Sequence, residues 1–371
     1  MILYFDSLFA EGRERVVKPL HKIPDTLNRL YLMAMREHAR DSVLRSRDQT
    51  RWVSTPDWRL DRQVIRIGLY LRDRLNVAPA DRVAIVSELR SEWLVADLAI
   101  TELGGVSVAI DPALDAKDLV GALTDAAPRV AFASSAVLEK LGDRWRETSA
   151  PERIITFDEP PARDGIERYA SVLDLGGTLD TPERAQSIRE QAREVGPEAP
   201  AICHYRRGAD GSHAGEELTQ AEAIERVATH WLEQPPAQGD VAYVVGPEVT
   251  LSMRLALYAF VGDGYTVVAL GHPGSEVDEI ADLRPDKIIA PPSVLEGAVL
   301  RQPSQDRARG LARWIPWGRS RRDRDAVREA LGGRARWIAP TAELDATVAQ
   351  RLRNIVAVDD GGESRRAVAS Q

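Results

Sequence analysis

The 371-residue chain has a single cysteine, Cys203. That excludes an internal disulfide and a cysteine zinc site, and it fits a reducing compartment. Histidine is also scarce. The six, at 21, 38, 204, 213, 230 and 272, show no HxxxH or HExxH spacing, so no metal site is expected. Positive charge is not in excess: 49 Lys and Arg stand against 57 Asp and Glu, a formal net charge of −8. A general nucleic-acid binder is thereby excluded, although a local basic patch is not. No run approaches the ~18–20 apolar residues of a membrane-spanning helix. The opening MILYFDSLFAEGRERVV is broken by Asp6 and has no preceding basic region, which argues against a signal peptide. A cytoplasmic protein is the expectation. Wholesale disorder is excluded by a hydrophobic fraction of 44% beside 29% charged residues.

What the chain does have is alternation. Short apolar runs such as Asp81–Ser87, Val106–Ile110, Arg129–Ala133 and Arg153–Phe157 are separated by helical patterns, among them Leu60, Val64, Ile67, Leu71 and Leu75 on one face. Strand–helix–strand order of this kind implies right-handed crossovers and a mainly parallel sheet. Residues 159–200 interrupt the rhythm with Pro, Gly, Asp and Glu, apart from a short helix near 185–194. The alternation then resumes, with strands expected near 201–205, 241–245, 265–270, 286–290 and 336–339 and a helix over 222–233. The fold expected is therefore α/β, with two lobes of mainly parallel sheet and flanking helices. The divisions are an arm over 1–25, a first lobe over 26–180, a linker over 181–200, a second lobe over 201–358 and a frayed tail over 359–371.

Three blocks stand out. DRVAIVSELRSEWLVADLAITELGGVSVAIDPAL spans 81–114, RPDKIIAPPSVLE spans 284–296 and VREALGGRAR spans 327–336. In this order they resemble the adenylate-forming superfamily, and specifically the amino-terminal region of long-chain fatty acyl-CoA synthetases. Members of that group join a carboxylate to AMP and pass the acyl group to a thiol. The resemblance implies the first two subdomains of the acyl-CoA synthetase fold. A barrel-like third subdomain and a small mobile domain with the catalytic lysine are not represented in the 371 residues. Apolar surface that the barrel normally covers is then expected to lie exposed, well beyond the ~300–600 Å² usual on a monomer. A second copy or another protein would then cover it.

The phosphate loop of that family reads roughly YTSGTTGxPKGVxLTH, where glycines admit the phosphates, hydroxyls donate to them and a lysine neutralises charge. The matching segment here is YRRGADGSHAGEELTQ, 205–220. Tyr205, Gly208, Gly211, Gly215, Leu218 and Thr219 are retained. Arg206 and Arg207 replace the Thr-Ser pair, Ala209 and Asp210 replace two threonines, and Ala214 stands where the lysine would be. Glu216 and Glu217 add negative charge. Two readings follow: a solvated loop without its chemistry, or a new anion clamp made by Arg206 and Arg207. Val249 stands near the position of the family's acyl-pocket histidine, and Glu363 is the candidate counterpart of the metal-holding glutamate. No catalytic residue, cofactor or metal is assigned.

One region is chemically distinctive. Residues 301–336 hold eleven arginines against Asp306, Asp323, Asp325 and Glu329, with Trp314 and Trp317 among them. Trp314, Trp317, Arg319, Arg321, Arg322 and Arg324 are the candidate surface residues. Their chemistry suits an acidic partner such as an acyl carrier protein, or an anionic membrane surface. The functional expectation is a catalytically inactive, acyl-CoA-synthetase-like binding or scaffold protein, with a homo-oligomer or a protein partner. The alternatives are a non-catalytic acyl or nucleotide binder, or a ligase completed by another chain.

Overall fold

The computed structural model describes residues 24–359 apart from 49–50, 149–150, 160–164, 208–212, 230–236, 238, 247–248, 271–275 and 301–323. Two seven-stranded, mostly parallel sheets form the frame. The first comprises β3 (Arg82–Val86), β4 (Val106–Ile110), β5 (Val130–Ala133), β6 (Arg153–Thr156), β7 (Ile166–Arg168), β8 (Pro200–Arg207) and β9 (His213–Thr219), in the order β7-β6-β5-β3-β4-β8-β9. The second comprises β1 (Leu44–Asp48), β2 (Arg51–Thr55), β10 (Val241–Val245), β11 (Thr266–Leu270), β12 (Lys287–Ala290), β13 (Trp337–Pro340) and β14 (Ala357–Val358), in the order β14-β13-β12-β10-β11-β1-β2. Only β2 and β9, one at an end of each sheet, pair antiparallel with their neighbours.

The period of two along each strand divides the core into three. Val83 and Ile85 of the first sheet and Val244 and Val267 of the second face a common interior. That interior is filled by α1 (Leu27–Glu37), α2 (Asp57–Asp73), α3 (Ser91–Glu102), α7 (Pro182–Glu194), α8 (Gln220–Ala228) and α9 (Leu251–Asp263). The alternate residues Ala84 and Val86 turn outward to α4 (Ala116–Ala126) and α5 (Ser135–Leu141). Tyr243 and Ile288 turn outward to α10 (Glu276–Leu283), α11 (Pro292–Leu300), a helix α12 over 324–330, and α13 (Ala346–Arg353). The remaining helix, α6 (Tyr169–Leu179), packs on α2, where a Cβ on Gly176 would meet the Arg66 carbonyl oxygen at 2.2 Å. The order is thus helix, sheet, helix, sheet, helix. It explains why α3 is buried from Trp93 to Glu102 and α9 from Met253 to Gly262: each lies between sheets and has no wet face.

A buried ion pair links α3 to α9. Asp97 and Arg254 are both fully buried. The Arg254 guanidinium binds both carboxylate oxygens of Asp97, donates to the Ser107 and Cys203 carbonyls at 3.1 and 3.3 Å, and lies 5.5 Å from the Trp93 ring centroid. The Ser107 hydroxyl donates to Asp97 at 2.6 Å.

Sheet membership cuts across the division drawn from sequence. The strand expected to open the second lobe, β8, instead lies beside β4 in the first sheet, with Ile110 opposite Tyr205. The hairpin β1–β2, inside the supposed first lobe, joins the second sheet, with Leu44 opposite Val267. The supposed linker 181–200 contains α7, capped by Thr181 with Pro182 in its first turn and packed among the interior helices. The short helix expected near 185–194 is therefore present and begins at Pro182, with Ala185, Ile188 and Ala192 its buried residues. The expected broad apolar surface is also not found among the described residues. Their exposed large hydrophobics are Val53, Trp58 and Leu175. No helix among them is long and apolar enough to cross a membrane.

Candidate functional site

The segment that resembles a phosphate loop is the hairpin β8–β9. Its register sets Arg207 opposite His213, Arg206 opposite Ala214, Tyr205 opposite Gly215, His204 opposite Glu216 and Cys203 opposite Glu217. The turn 208–212, which carries Gly208 and Gly211, lies outside the described residues. β8 runs parallel to β4 and extends past its end, so the described end of β8 lies at the carboxyl edge of the first sheet, where open α/β sheets take their ligands.

Each retained residue that the structure describes is engaged within the fold. The Tyr205 hydroxyl donates to Asp125 of α4 at 2.7 Å, and burial together with this bond pushes its pKa up to about 12. A Cβ on Gly215 would lie 2.8 Å from both the Cys203 sulfur and the edge of the Tyr205 ring. The glycine is what lets the tyrosine lie across the neighbouring strand. Leu218 is buried in the interior core. Thr219 is the N-cap of α8: its hydroxyl accepts from Glu222 N at 3.2 Å, while the Glu222 carboxylate accepts from Thr219 N at 2.8 Å. Such a capping box stabilises a helix start by about 1 kcal/mol.

Glu216 and Glu217 do not act as free charges. Glu216 pairs with Arg226 of α8 at 2.6 Å, and Glu217 pairs with Arg82. Sequence reading did not identify Asp125, Arg82 or Arg226 as partners. Only Arg226, one turn after the T-x-x-E cap, had a local signal. Cys203 is buried, and its burial raises the thiol to about 11, so it is not a reactive thiolate.

The lysine and the hydroxyl pairs of the family's phosphate loop have no counterpart in the segment. The turn 208–212 reads Gly-Ala-Asp-Gly-Ser and contains no basic side chain, and Ala214 supplies none. The strand-paired backbone on either side of the turn is committed to the hairpin ladder. No group of three or more His, Cys, Asp or Glu among the described residues is placed to hold a metal ion. Val249 is buried just ahead of Thr250, the N-cap of α9. Glu363 lies outside the described residues.

The arginine-rich segment divides. Trp314, Trp317, Arg319, Arg321 and Arg322 lie outside the described residues. Arg324 is exposed on α12 and, with Asp325, Arg328, Asn354 and Ile355, lines a shallow hollow of about 250 Å³. Arg334 and Arg336 are structural. Both donate to Asp240 and Asp286, two buried carboxylates that also accept backbone N–H groups of Ala237 and Val241.

A family model described as AMP-binding enzyme matches residues 39–360. Over 233 residues the chain is 23% identical to a carboxylic acid reductase of Mycobacterium tuberculosis, covering 59% of this chain and 20% of that one. A long-chain-fatty-acid-CoA ligase from Archaeoglobus fulgidus superposes with a TM-score of 0.66 at 14% identity, over 90% of this chain and 61% of that one. A fatty acyl-CoA synthetase of Mycobacterium tuberculosis superposes with a TM-score of 0.63 at 16% identity, over 91% and 59%. The chain therefore spans a fifth of the reductase and about three-fifths of each ligase.

Proposed function

The chain belongs to the AMP-binding enzyme family, and from that premise we propose that it is a non-catalytic, acyl-CoA-synthetase-like member that works by binding a partner. The observation that carries this reading is the division of labour in the β8–β9 hairpin. Tyr205, Gly215 and Thr219 each have a packing or capping task that accounts for their presence without a nucleotide. The positions that would touch phosphate have changed: Ala214 has no charge, and Asp210 adds an anion to the turn. Loss of a lysine and several hydroxyls forfeits charge-assisted bonds of about 1.5–3 kcal/mol and neutral ones of about 0.5–1.5 kcal/mol each. The fold that surrounds the loop, by contrast, retains full core patterning.

Fatty-acid or acyl-thioester metabolism is the setting that the family suggests, and an acidic protein is the partner that the arginines of 301–324 suit. That contact should weaken steeply with salt, since exposed charges are screened over ~8 Å at physiological ionic strength.

The purified protein is expected to show no ATP–pyrophosphate exchange with fatty acids and no rise in Tm with magnesium-ATP. A ligand present at 100 times its Kd stabilises by ~2.7 kcal/mol, so real binding would move Tm by several degrees. Such a shift, abolished in an Arg206→Ala, Arg207→Ala double variant, would overturn the reading and identify these arginines as a rebuilt anion clamp.

A further inference from the structure

The second sheet ends at β2, which pairs with β1 on one side and with no strand among the described residues on the other. Natural proteins usually blunt such an edge, because its unpaired N–H and C=O groups template another strand. Here the edge is dressed differently. Val53 is 40% exposed, and Trp58, in the first turn of α2 just beyond the strand, is 68% exposed. These are two of the three exposed large hydrophobics among the described residues.

The charges nearby are uneven. Arg47 is held by Glu279 and lies 5.9 Å from the Trp52 ring centroid, and Arg62 is held by Asp180 at 2.5 Å. Arg45, Arg51 and Arg59 have no ion pair among the described residues, although most arginines of the fold do. Asp57, the acid closest to Trp58, is occupied in accepting backbone N–H groups of Arg40 and Trp58 at 3.0 and 2.6 Å. The register places Arg51, Val53 and Thr55 on one face of the strand and Trp52 and Ser54 on the other.

We propose that the free edge of β2 is a docking strip for an extended acidic segment of another protein, which adds to the second sheet as an eighth strand. Main-chain hydrogen bonds would supply the affinity and alternate side chains the selectivity. A carboxylate would meet Arg51 and an apolar side chain would meet Val53. The end of the segment would pass Trp58 and Arg59. Five residues at ~3.4 Å each limit the contact to a segment of about five or six residues. A second copy of the chain is a poorer occupant. Antiparallel pairing of β2 with itself about Val53 sets Arg51 opposite Thr55 and brings no acid to the arginines. The inference goes beyond the proposed function and stands whether or not the chain turns over ATP.

The test uses the full chain and fluorescein-labelled Glu-Thr-Val-Thr-Glu, which in either direction sets a carboxylate opposite Arg51 and its valine opposite Val53, with Lys-Thr-Val-Thr-Lys as control, read by fluorescence polarisation. The acidic peptide should bind and the basic one should not. Hydrogen exchange should slow at the β2 amides when the acidic peptide is present. An Arg51→Glu, Arg59→Glu double variant and Trp58→Ala, both checked for an unchanged Tm, should each weaken binding tenfold or more. Equal binding of both peptides, no binding of either, or full binding by both folded variants would overturn the proposal. So would a dimer of the free chain that Val53→Lys dissociates, since a second copy would then own the edge.

Discussion

Replacing Arg254 by Met tests whether the link between α3 and α9 is as important as its burial implies. The substitution keeps the volume of the side-chain stem and removes the guanidinium, leaving the Asp97 carboxyl fully buried without its cationic partner and still accepting from the Ser107 hydroxyl. Removing one member of a buried pair costs about 3–5 kcal/mol, because the survivor keeps its desolvation penalty without compensation. The carbonyls of Ser107 and Cys203 lose a donor as well. With an unfolding entropy of ~2.1 cal/mol/K per residue, a chain of this length loses roughly 1.3 °C per kcal/mol, so Tm should fall by about 4–6 °C. Asp97→Leu strands the arginine instead and should cost a similar amount. Arg254→Met with Asp97→Leu removes both charges and should recover most of the loss. Scanning calorimetry on the four proteins closes the cycle. Single variants that lose less than ~1 kcal/mol, or a double variant that loses the sum of the two, would refute the reasoning.

Two other perturbations follow from the geometry. Gly215→Ala drives a Cβ into the Cys203 sulfur and the Tyr205 ring, and should destabilise by about 1–3 kcal/mol in urea titration. Glu102 is buried on α3 with one carboxylate oxygen unpartnered, and burial, then the nearby Asp61, raises its pKa well above the usual glutamate value. Its protonated form is the one the fold accepts, so its contribution is complete below the unfolded value of ~4.3 and is lost as pH rises toward the folded value. Tm of the wild type should therefore fall more steeply from pH 5 to pH 8 than that of Glu102→Gln, and parallel curves would show that Glu102 does not titrate differently on folding.

The parallel sheets were legible because β3, β4, β5, β10 and β12 are buried on both faces and read as uninterrupted apolar runs. The hairpin β1–β2 was not, because it lies at an edge. Arg45, Arg47 and Arg51 stand where an interior strand would carry valines. β9 was read as loop for a similar reason: Glu216 and Glu217 gave no apolar signal, and their partners Arg226 and Arg82 are supplied by folding. The absence of a lysine at position 214 was visible directly, since it depends on residue type alone. The tasks of Tyr205 and Gly215 were not, since Asp125 lies 80 residues from Tyr205 in the chain. Arg334 and Arg336 looked like surface charge until the buried Asp240 and Asp286 were placed beneath them.

The pairing of Leu44 with Val267 also sets a timetable. A ribosome adding ~5–20 residues per second needs roughly 10–45 s to pass from one to the other. Throughout that interval β1 and β2 have emerged but the strand they must join has not been made. Strands β3 to β7 and then β8 and β9 can assemble meanwhile, since their partners are all at hand. The first sheet is thus free to form as a nascent structure while the hairpin waits with Trp52 and Val53 in water. Conditions that slow elongation between residues 60 and 270 should lengthen this exposure, making the amino-terminal hairpin the segment most open to chaperones, proteases or mispairing before the chain is complete.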